Sequence, residues 1–174
     1  MDTSRIVQFR LLKNEYKRLS PHGDYSIIHL TSRSYLPHLS YLLKISKLMK
    51  LDFEWDGIPD EDDIHLRFKN NSQCFLYLYQ QKIVGWTWFH EDVSIDWKTI
   101  YQKLNNGDVY VGGAYVSKTC NLPPIAGYMF YNISFSKWLN DLNYNTIYLY
   151  SDDWNRASAQ LCYKSGFNKF NFIK

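Results

Sequence analysis

The chain has little from which a linker, a membrane anchor or a disulfide framework is made. Its 174 residues include 3 cysteines, Cys74, Cys120 and Cys162. They are scattered, odd in number and without the CxxC or Cys/His spacing of a zinc site, so no metal is expected. Free thiols of this kind fit a reducing compartment. No apolar run approaches the roughly 20 residues that a membrane helix needs. The first residues, MDTSRIVQFRLLKNEYKR, carry charges throughout and lack the apolar stretch of a signal peptide. Repeats, low-complexity tracts and Pro/Gly-rich linkers are missing too, so residues 1–174 read as one domain, with 1–23 an N-terminal extension or edge segment. A soluble, cytoplasmic protein with no membrane partner is the expectation. Charge of one sign is also scarce. Against 20 Lys+Arg stand 17 Asp+Glu, and a net +3 is too mild to imply nucleic acid. Lys44, Lys47 and Lys50 lie at helical spacing, which reads more simply as a solvated face than as a phosphate site.

Aromatics are abundant: 15 Tyr, 10 Phe and 6 Trp make up 18% of the chain. They suit a pocket or an interface, but the plainer reading is a thick core of Tyr-rich strands. The apolar and charged fractions, 45% and 21%, are those of a globular domain.

Periodicity divides the chain into a strand at 24–32, a helix at 36–51, an acidic and aromatic loop at 52–63, and a short helix in EDDIHLRFKN. CFLYLY (74–79) and IVGWTWFH (83–90) are strand-like, and the short QQK between them predicts a hairpin. Trp97, Ile100, Tyr101 and Leu104 recur at helical spacing and predict a helix over 94–104. A strand at 107–117 holds Gly112 and Gly113, which point to a bulge or a close backbone approach. A helix at 126–142, a strand at 146–152, a helix at 155–165 and a last strand in FNKFNFIK complete the order. Hairpin pairing in the first half and strand–helix–strand crossovers in the second imply an α/β (α+β) fold. Its sheet would be mixed, mostly antiparallel, of about six or seven strands, with helices on both faces. The site is expected where strand direction or order changes.

The stretch SDDWNRASAQLCYKSGF (151–167) holds Asn155, then Ser158 three positions on, Leu161 at six, and Lys164, Gly166 and Phe167 at nine to twelve. With KIVGWTWF (82–89), whose IVG precedes aromatic and aliphatic residues, this spacing resembles the GNAT superfamily of CoA-dependent N-acyltransferases over about residues 24–170. The resemblance implies acetyl-CoA as acyl donor. It implies a pantetheine arm lying between a fourth and a fifth strand that splay apart, here Gly113–Val116 (with Ala114 and Tyr115) and Ile147–Tyr150. It also implies a pyrophosphate loop at the head of the next helix, whose place NLPPIA (121–126) takes. Asn121 stands where Gln or Arg is usual and Pro124 where Gly is usual. Ala126 fits, and Gly127 follows. Prolines have no N–H to give a phosphate, though they suit a first helical turn; Ile125, Ala126, Gly127 and Tyr128 still offer theirs. Asn155 and Ser158 complete the expected cofactor set.

Acyl transfer from a thioester needs a neutral amine, a donor for the oxyanion and a proton for the thiolate. The family's Tyr for that proton falls seven residues after the Asn, where this chain has Cys162, with Tyr163 about 100° further round the helix. A thiol near pKa ~8.5 serves in principle as well as a phenol near ~10. Cys162 as small apolar filler is the competing reading. As base the chain offers His90, Glu91 and Asp92 at and just past the end of the strand at 83–90, and Asp108 at the start of the strand at 107–117. In the family the loop holding Glu54, Trp55 and Asp56 shapes the acceptor pocket, and its acids and aromatic suit a cationic small-molecule amine. The departures keep two alternatives open: a non-catalytic GNAT-like binding domain, and an acyltransferase served by a carrier-protein thioester. One strand follows Phe167 here, where the family often has a second; residues 5–19, or a second subunit as in a homodimer, could replace that edge.

Overall fold

The computed structural model describes residues 6–14, 16, 23–53, 57–92, 104–153 and 155–173. Among these, strands β1 (Ile6–Leu12) and β2 (Tyr25–Leu30) precede a 3-10 turn, Leu36–His38, and helices α1 (Leu39–Asp52) and α2 (Glu61–Lys69). Strands β3 (Gln73–Tyr79), β4 (Lys82–His90) and β5 (Asp108–Val116) follow, then α3 (Ala126–Ser136), β6 (Thr146–Asp152), α4 (Arg156–Lys164) and β7 (Asn168–Ile173). The seven strands form one sheet in the order β2-β3-β4-β5-β6-β1-β7. Every pairing is antiparallel except β5 with β6. The α/β class and the mixed, mostly antiparallel sheet expected from the sequence are both present.

Local chemistry explains most boundaries. Leu42, Ile45, Ser46 and Met49 are buried at helical spacing along α1. Asp60 and Asp63 form a reciprocal capping box that starts α2. Gln80 and Gln81, both at positive φ, make the two-residue turn of the β3–β4 hairpin, the backbone that fits the twist of its strands. Past Ser136, α3 widens into a π turn, Lys137–Asp141, so the expected helix at 126–142 is one element with two windings.

The sheet is covered on both faces. Helices α3 and α4 bury Phe130, Phe135 and Cys162 against Phe9, Val109, Val111, Ile147 and Leu149. Helices α1 and α2 bury Leu42, Ile45, Ile64 and Phe68 against Cys74, Leu76, Trp86 and Trp88. Tyr110, Tyr148 and Tyr150 alternate with the α3-side residues of β5 and β6, and so form a third buried cluster on the α1/α2 side. The tyrosine richness of the chain is therefore mainly core.

The N-terminal segment differs from its expected place. β1 is no edge: it is inserted between β6 and β7 and pairs antiparallel with both, with Val7, Phe9 and Leu11 buried. The alternation of Val7, Phe9 and Leu11 turns one apolar face of β1 into the core under α3 and α4. Of the predicted helix at 94–104, only Leu104 belongs to the described residues.

Candidate active site

The two parallel strands part company halfway. β5 and β6 pair from Asp108↔Thr146 to Val111↔Leu149, and no further, although β5 runs to Val116 and β6 to Asp152. The gap between Gly112–Val116 and Tyr150–Asp152 leaves one backbone edge of β5 unpaired by any strand. Ile147, Tyr148 and Leu149, expected on the open stretch, are instead zipped to β5, and Tyr150 is the first residue beyond the fork. On its other side β5 stays attached to β4 through a bulge. Trp88 faces Gly112 and Trp86 faces Tyr115, so Gly113 and Ala114 together oppose Thr87. Gly113 has φ +56, a conformation glycine adopts without the Cβ clash, and it is exposed at the fork. Gly85 of the IVG motif has a matching reason. A Cβ there would run into the Tyr115 carbonyl, so only glycine lets β4 approach the end of β5 this closely.

The chain leaves β5 at Val116 and re-enters helix at Ala126. Asn121 is exposed with φ +45, a left-handed turn that asparagine tolerates. Pro123 and Pro124 lie just before the helix rather than in its first turn, and Pro123 contributes its carbonyl, which accepts from Ala126 N–H at 2.9 Å. The N-cap, Ile125, is 52% exposed and supplies no side-chain cap. Met129 N–H returns to Ile125 O at 3.0 Å, so Gly127 and Tyr128 lie in the first turn, whose N–H groups an α-helix leaves without an i−4 partner within the helix. A Cβ on Gly127 would meet nothing within 4 Å, so the backbone there is open to approach. An uncapped helix start that follows an unpaired strand edge in the chain fits an anionic group carrying an extended amide chain.

The residues expected to transfer protons are not at this fork. Cys162 is 0% exposed, packed under α4, and burial pushes its thiol up to about 12, with a Ser158 hydrogen bond acting in the opposite sense. A thiol of that pKa is a poor proton donor to a thiolate, and its full burial accords with the reading of Cys162 as apolar filler. Tyr163 is 53% exposed, but its ring stands edge-on to Phe9 at 5.5 Å, over β1 rather than between β5 and β6. His90 is 0% exposed. Its Nε2 lies 3.2 Å from the Arg67 guanidinium, which only donates, so the ring is assigned as the neutral tautomer with Nδ1–H donating to Ser72 Oγ at 2.7 Å. The lone pair a base needs is already in use. Glu91 sits past the opposite end of β5, where its Oε1 accepts from the Tyr144 hydroxyl at 2.8 Å. It lines an open cavity of about 520 Å³ with Asn105, Asp108 and Asn143, a place remote from the fork. Asp92 is exposed beside Glu91. Glu54, Trp55 and Asp56 lie outside the described residues.

The other residues expected at the cofactor site fall on different faces. Ala114 and Val116 turn toward the α3 side, and Ala126 is buried there. Tyr115 turns the other way, toward α1. Asn155 caps α4: its Oδ1 accepts from Ser158 N–H at 3.1 Å, which fixes the helix start where β6 ends. Two side chains at the fork were missed by sequence reasoning. Tyr150 accepts at its hydroxyl from Gln8 Nε2 at 2.8 Å, and burial raises its phenol to about 12. Asp152, two residues on and by alternation on the same face, has its carboxyl raised from the ordinary value by burial first and by the Asp153 charge second. The signal for both was present in TIYLYSD, but only the end of the β5–β6 pairing gives those positions meaning. Among the described residues there is no cluster of three or more His, Cys, Asp or Glu side chains placed to hold a metal ion, and no helix long and apolar enough to cross a membrane.

No family model and no curated protein sequence matches the chain. Solved structures do. It is similar to a GCN5-related N-acetyltransferase from Kribbella flavida, at 11% identity over 98% of this chain and 56% of that one, with a TM-score of 0.58. A GCN5-related N-acetyltransferase from Sphaerobacter thermophilus gives 11% identity, 97% and 50% coverage, and a TM-score of 0.65. The chain thus spans little more than half the length of those two proteins. An aminoglycoside acetyltransferase from an uncultured soil metagenomic sample, in complex with sisomicin, is 15% identical over 82% of this chain and 87% of that one, with a TM-score of 0.56. Seven strands in this order, a fork between two parallel neighbours and these structural relatives lead to one conclusion: the chain carries the GNAT fold.

Proposed function

We propose that this protein is an acyl-CoA-dependent N-acyltransferase, most simply an acetyltransferase, that acts on a primary amine of a small molecule by direct attack in a ternary complex. The fork after Val111↔Leu149 carries this reading. A parallel pair that separates for the last five residues of β5 has no packing advantage of its own. It supplies backbone donors and acceptors to an extended amide chain, as a further strand would. The open helix start at Gly127 and Tyr128 suits the pyrophosphate of the same ligand, and residues 117–125 connect the two features.

In this scheme the backbone of the Gly113–Ala114 bulge orients the thioester carbonyl and offers N–H groups to the developing oxyanion. On the α1/α2 side the fork carries Tyr150 and Asp152 from β6, with Tyr115 opposite them on β5. Asp152, with its raised pKa, takes the amine proton; Tyr150 keeps its own proton at neutral pH and serves as a fixed dipole. The thiolate leaves without an acid from α4, since Cys162 is sealed in the core. Acceptor recognition falls to the entry of α2, where the N-cap Asp60 and the first-turn residues Glu61, Asp62 and Asp63 are all exposed and favour a cationic amine. The sisomicin-bound relative is an acetyltransferase of one such class of molecule.

A second reading takes the acyl group from a carrier-protein thioester. Pro123 and Pro124 favour it, because two of the residues leading into α3 have no N–H for a diphosphate. Release of free thiol from acetyl-CoA in the presence of a panel of amino sugars, polyamines and amino acids tests the first reading. Turnover with one amine class supports it. Turnover only with acyl-carrier protein supports the second, and none with either donor contradicts both.

A further inference from the structure

The splayed end of β5 has lost a neighbour on one side, and an isolated strand end frays unless something holds it. β4 holds one edge through Gly85↔Val116 and Trp86↔Tyr115. The other restraint comes from α1, which ends at Asp52. The Asp52 carboxylate reaches across to the strand: its Oδ2 accepts from the Tyr115 hydroxyl at 2.5 Å and from the Lys118 backbone N–H at 2.9 Å. The next residue of each segment joins in. The Lys118 ammonium lies 4.2 Å from the centroid of the Phe53 ring, and Phe53 meets Tyr115 edge-on at 6.0 Å. Four residues, Asp52, Phe53, Tyr115 and Lys118, thus tie the start of the α1–α2 connection to the last turn of β5. Two bonds to one ionised oxygen are the stronger kind of hydrogen bond.

The place of this clamp gives it a task. Tyr115 is inside the unpaired stretch, and Lys118 opens the segment that leads to the α3 start. We propose that Asp52 is a positioning residue for the acyl donor: through Tyr115 and Lys118 it holds the free edge of β5 and the entry to α3 in the geometry that receives an acyl-CoA, and ties that geometry to the acceptor-side connection. This rests on the acyl-transfer reading above. Asp52 itself is the last residue of α1, and its carboxylate is taken up by Tyr115 and Lys118 rather than by a reacting atom.

The test is calorimetric titration of acetyl-CoA into the native chain and into Asp52→Ala, Asp52→Asn, Tyr115→Phe and the Asp52→Ala/Tyr115→Phe pair, with thermal melts beside each. Asp52→Ala is expected to weaken acetyl-CoA by about fivefold or more, the order that one lost charge-assisted bond carries. Tyr115→Phe, which removes only a hydroxyl, is expected to weaken it less. The pair should fall short of the product of the two single effects, since both act through one contact. Asp52→Asn, which keeps an acceptor oxygen, should recover part of the loss, a rescue that a general loss of stability does not give. If Asp52→Ala does not fold, Tyr115→Phe and Asp52→Asn decide. Native-like affinity in both overturns the proposal, as does a loss of affinity that only follows the fall in melting temperature. A native chain that binds no acetyl-CoA overturns the acyl-CoA reading and the clamp together, whereas native binding with unaffected variants overturns the clamp alone.

Discussion

At the scale of single residues, the same position can be legible in type and illegible in role. Cys162 falls at the family's acid position by spacing, yet spacing says nothing of which way a helix turns. Its seat beneath α4 follows from the phase of that helix against Phe9, Tyr131 and Phe167. Cys162→Ala is accordingly expected to cost about 1 kcal/mol of stability, read from denaturant melts, and to leave thiol release from acetyl-CoA unchanged. A collapse of turnover with stability intact would restore the acid role. His90 has the reference pKa of a base, and the sequence gives no hint that Arg67, 23 residues earlier, occupies its lone pair. Asp152 went the other way, plain in sequence and placed at the fork by the sheet. Its folded pKa lies above the unfolded one, so the folded state binds the proton more tightly and stability falls as pH rises through that window. Asp152→Asn removes this penalty. The variant is expected to melt higher than the native chain at pH 7, with the difference vanishing as pH falls below about 3.9, the unfolded carboxylate value. Its turnover should be lost at the same time. A variant that is more stable and equally active would show that Asp152 is not the base.

At the scale of elements, order and type were readable because the periodic signals were strong. Leu42, Ile45 and Met49 phase α1, and Phe75, Tyr77, Trp86 and Trp88 mark the strands of the hairpin. Partners of strands are non-local, and that is where the reading from sequence stopped. Gly112 and Gly113 signalled a bulge, which exists, but the fork beside it depends on β6 leaving β5 after Leu149. In sequence, Pro123 and Pro124 depart from the glycine pattern of a pyrophosphate loop. The structure keeps them just outside the helix and leaves Gly127 in open space. Gly127→Ala therefore separates fold from ligand. It is expected to stabilise the helix by about 0.5–1 kcal/mol while weakening acetyl-CoA, because a methyl enters the space through which the anion approaches. Equal affinity in calorimetry would remove Gly127 from the donor site. Asn155→Ala removes the cap of α4 and should cost about 1 kcal/mol, seen as a lower melting temperature.

At the scale of the whole molecule, the sheet is closed by its first strand. β1 lies between β6 and β7, so the beginning of the chain completes a sheet whose last strand is the edge. No sequence pattern gave that order, because alternation at Val7, Phe9 and Leu11 says only that a strand exists. A chain lacking residues 1–13 is expected to show no cooperative melt, and a truncated chain that melts like the native one would contradict an interior β1. The two covered faces then have distinct tasks in the account. The α3/α4 side presents the helix start for the donor. The α1/α2 side presents Tyr150, Asp152 and the acidic entry to α2 for the amine. The proposed acyl transfer requires the fork between β5 and β6 to be a binding cleft. The most direct measurement is calorimetric titration of the native chain with acetyl-CoA and, separately, with an S-acetyl pantetheine that lacks the nucleotide diphosphate. Saturable binding of acetyl-CoA at micromolar concentration, with the pantetheine ester much weaker, is the expected result, because strand edge and helix start act on one ligand. No heat with acetyl-CoA from protein that melts cooperatively would contradict the account.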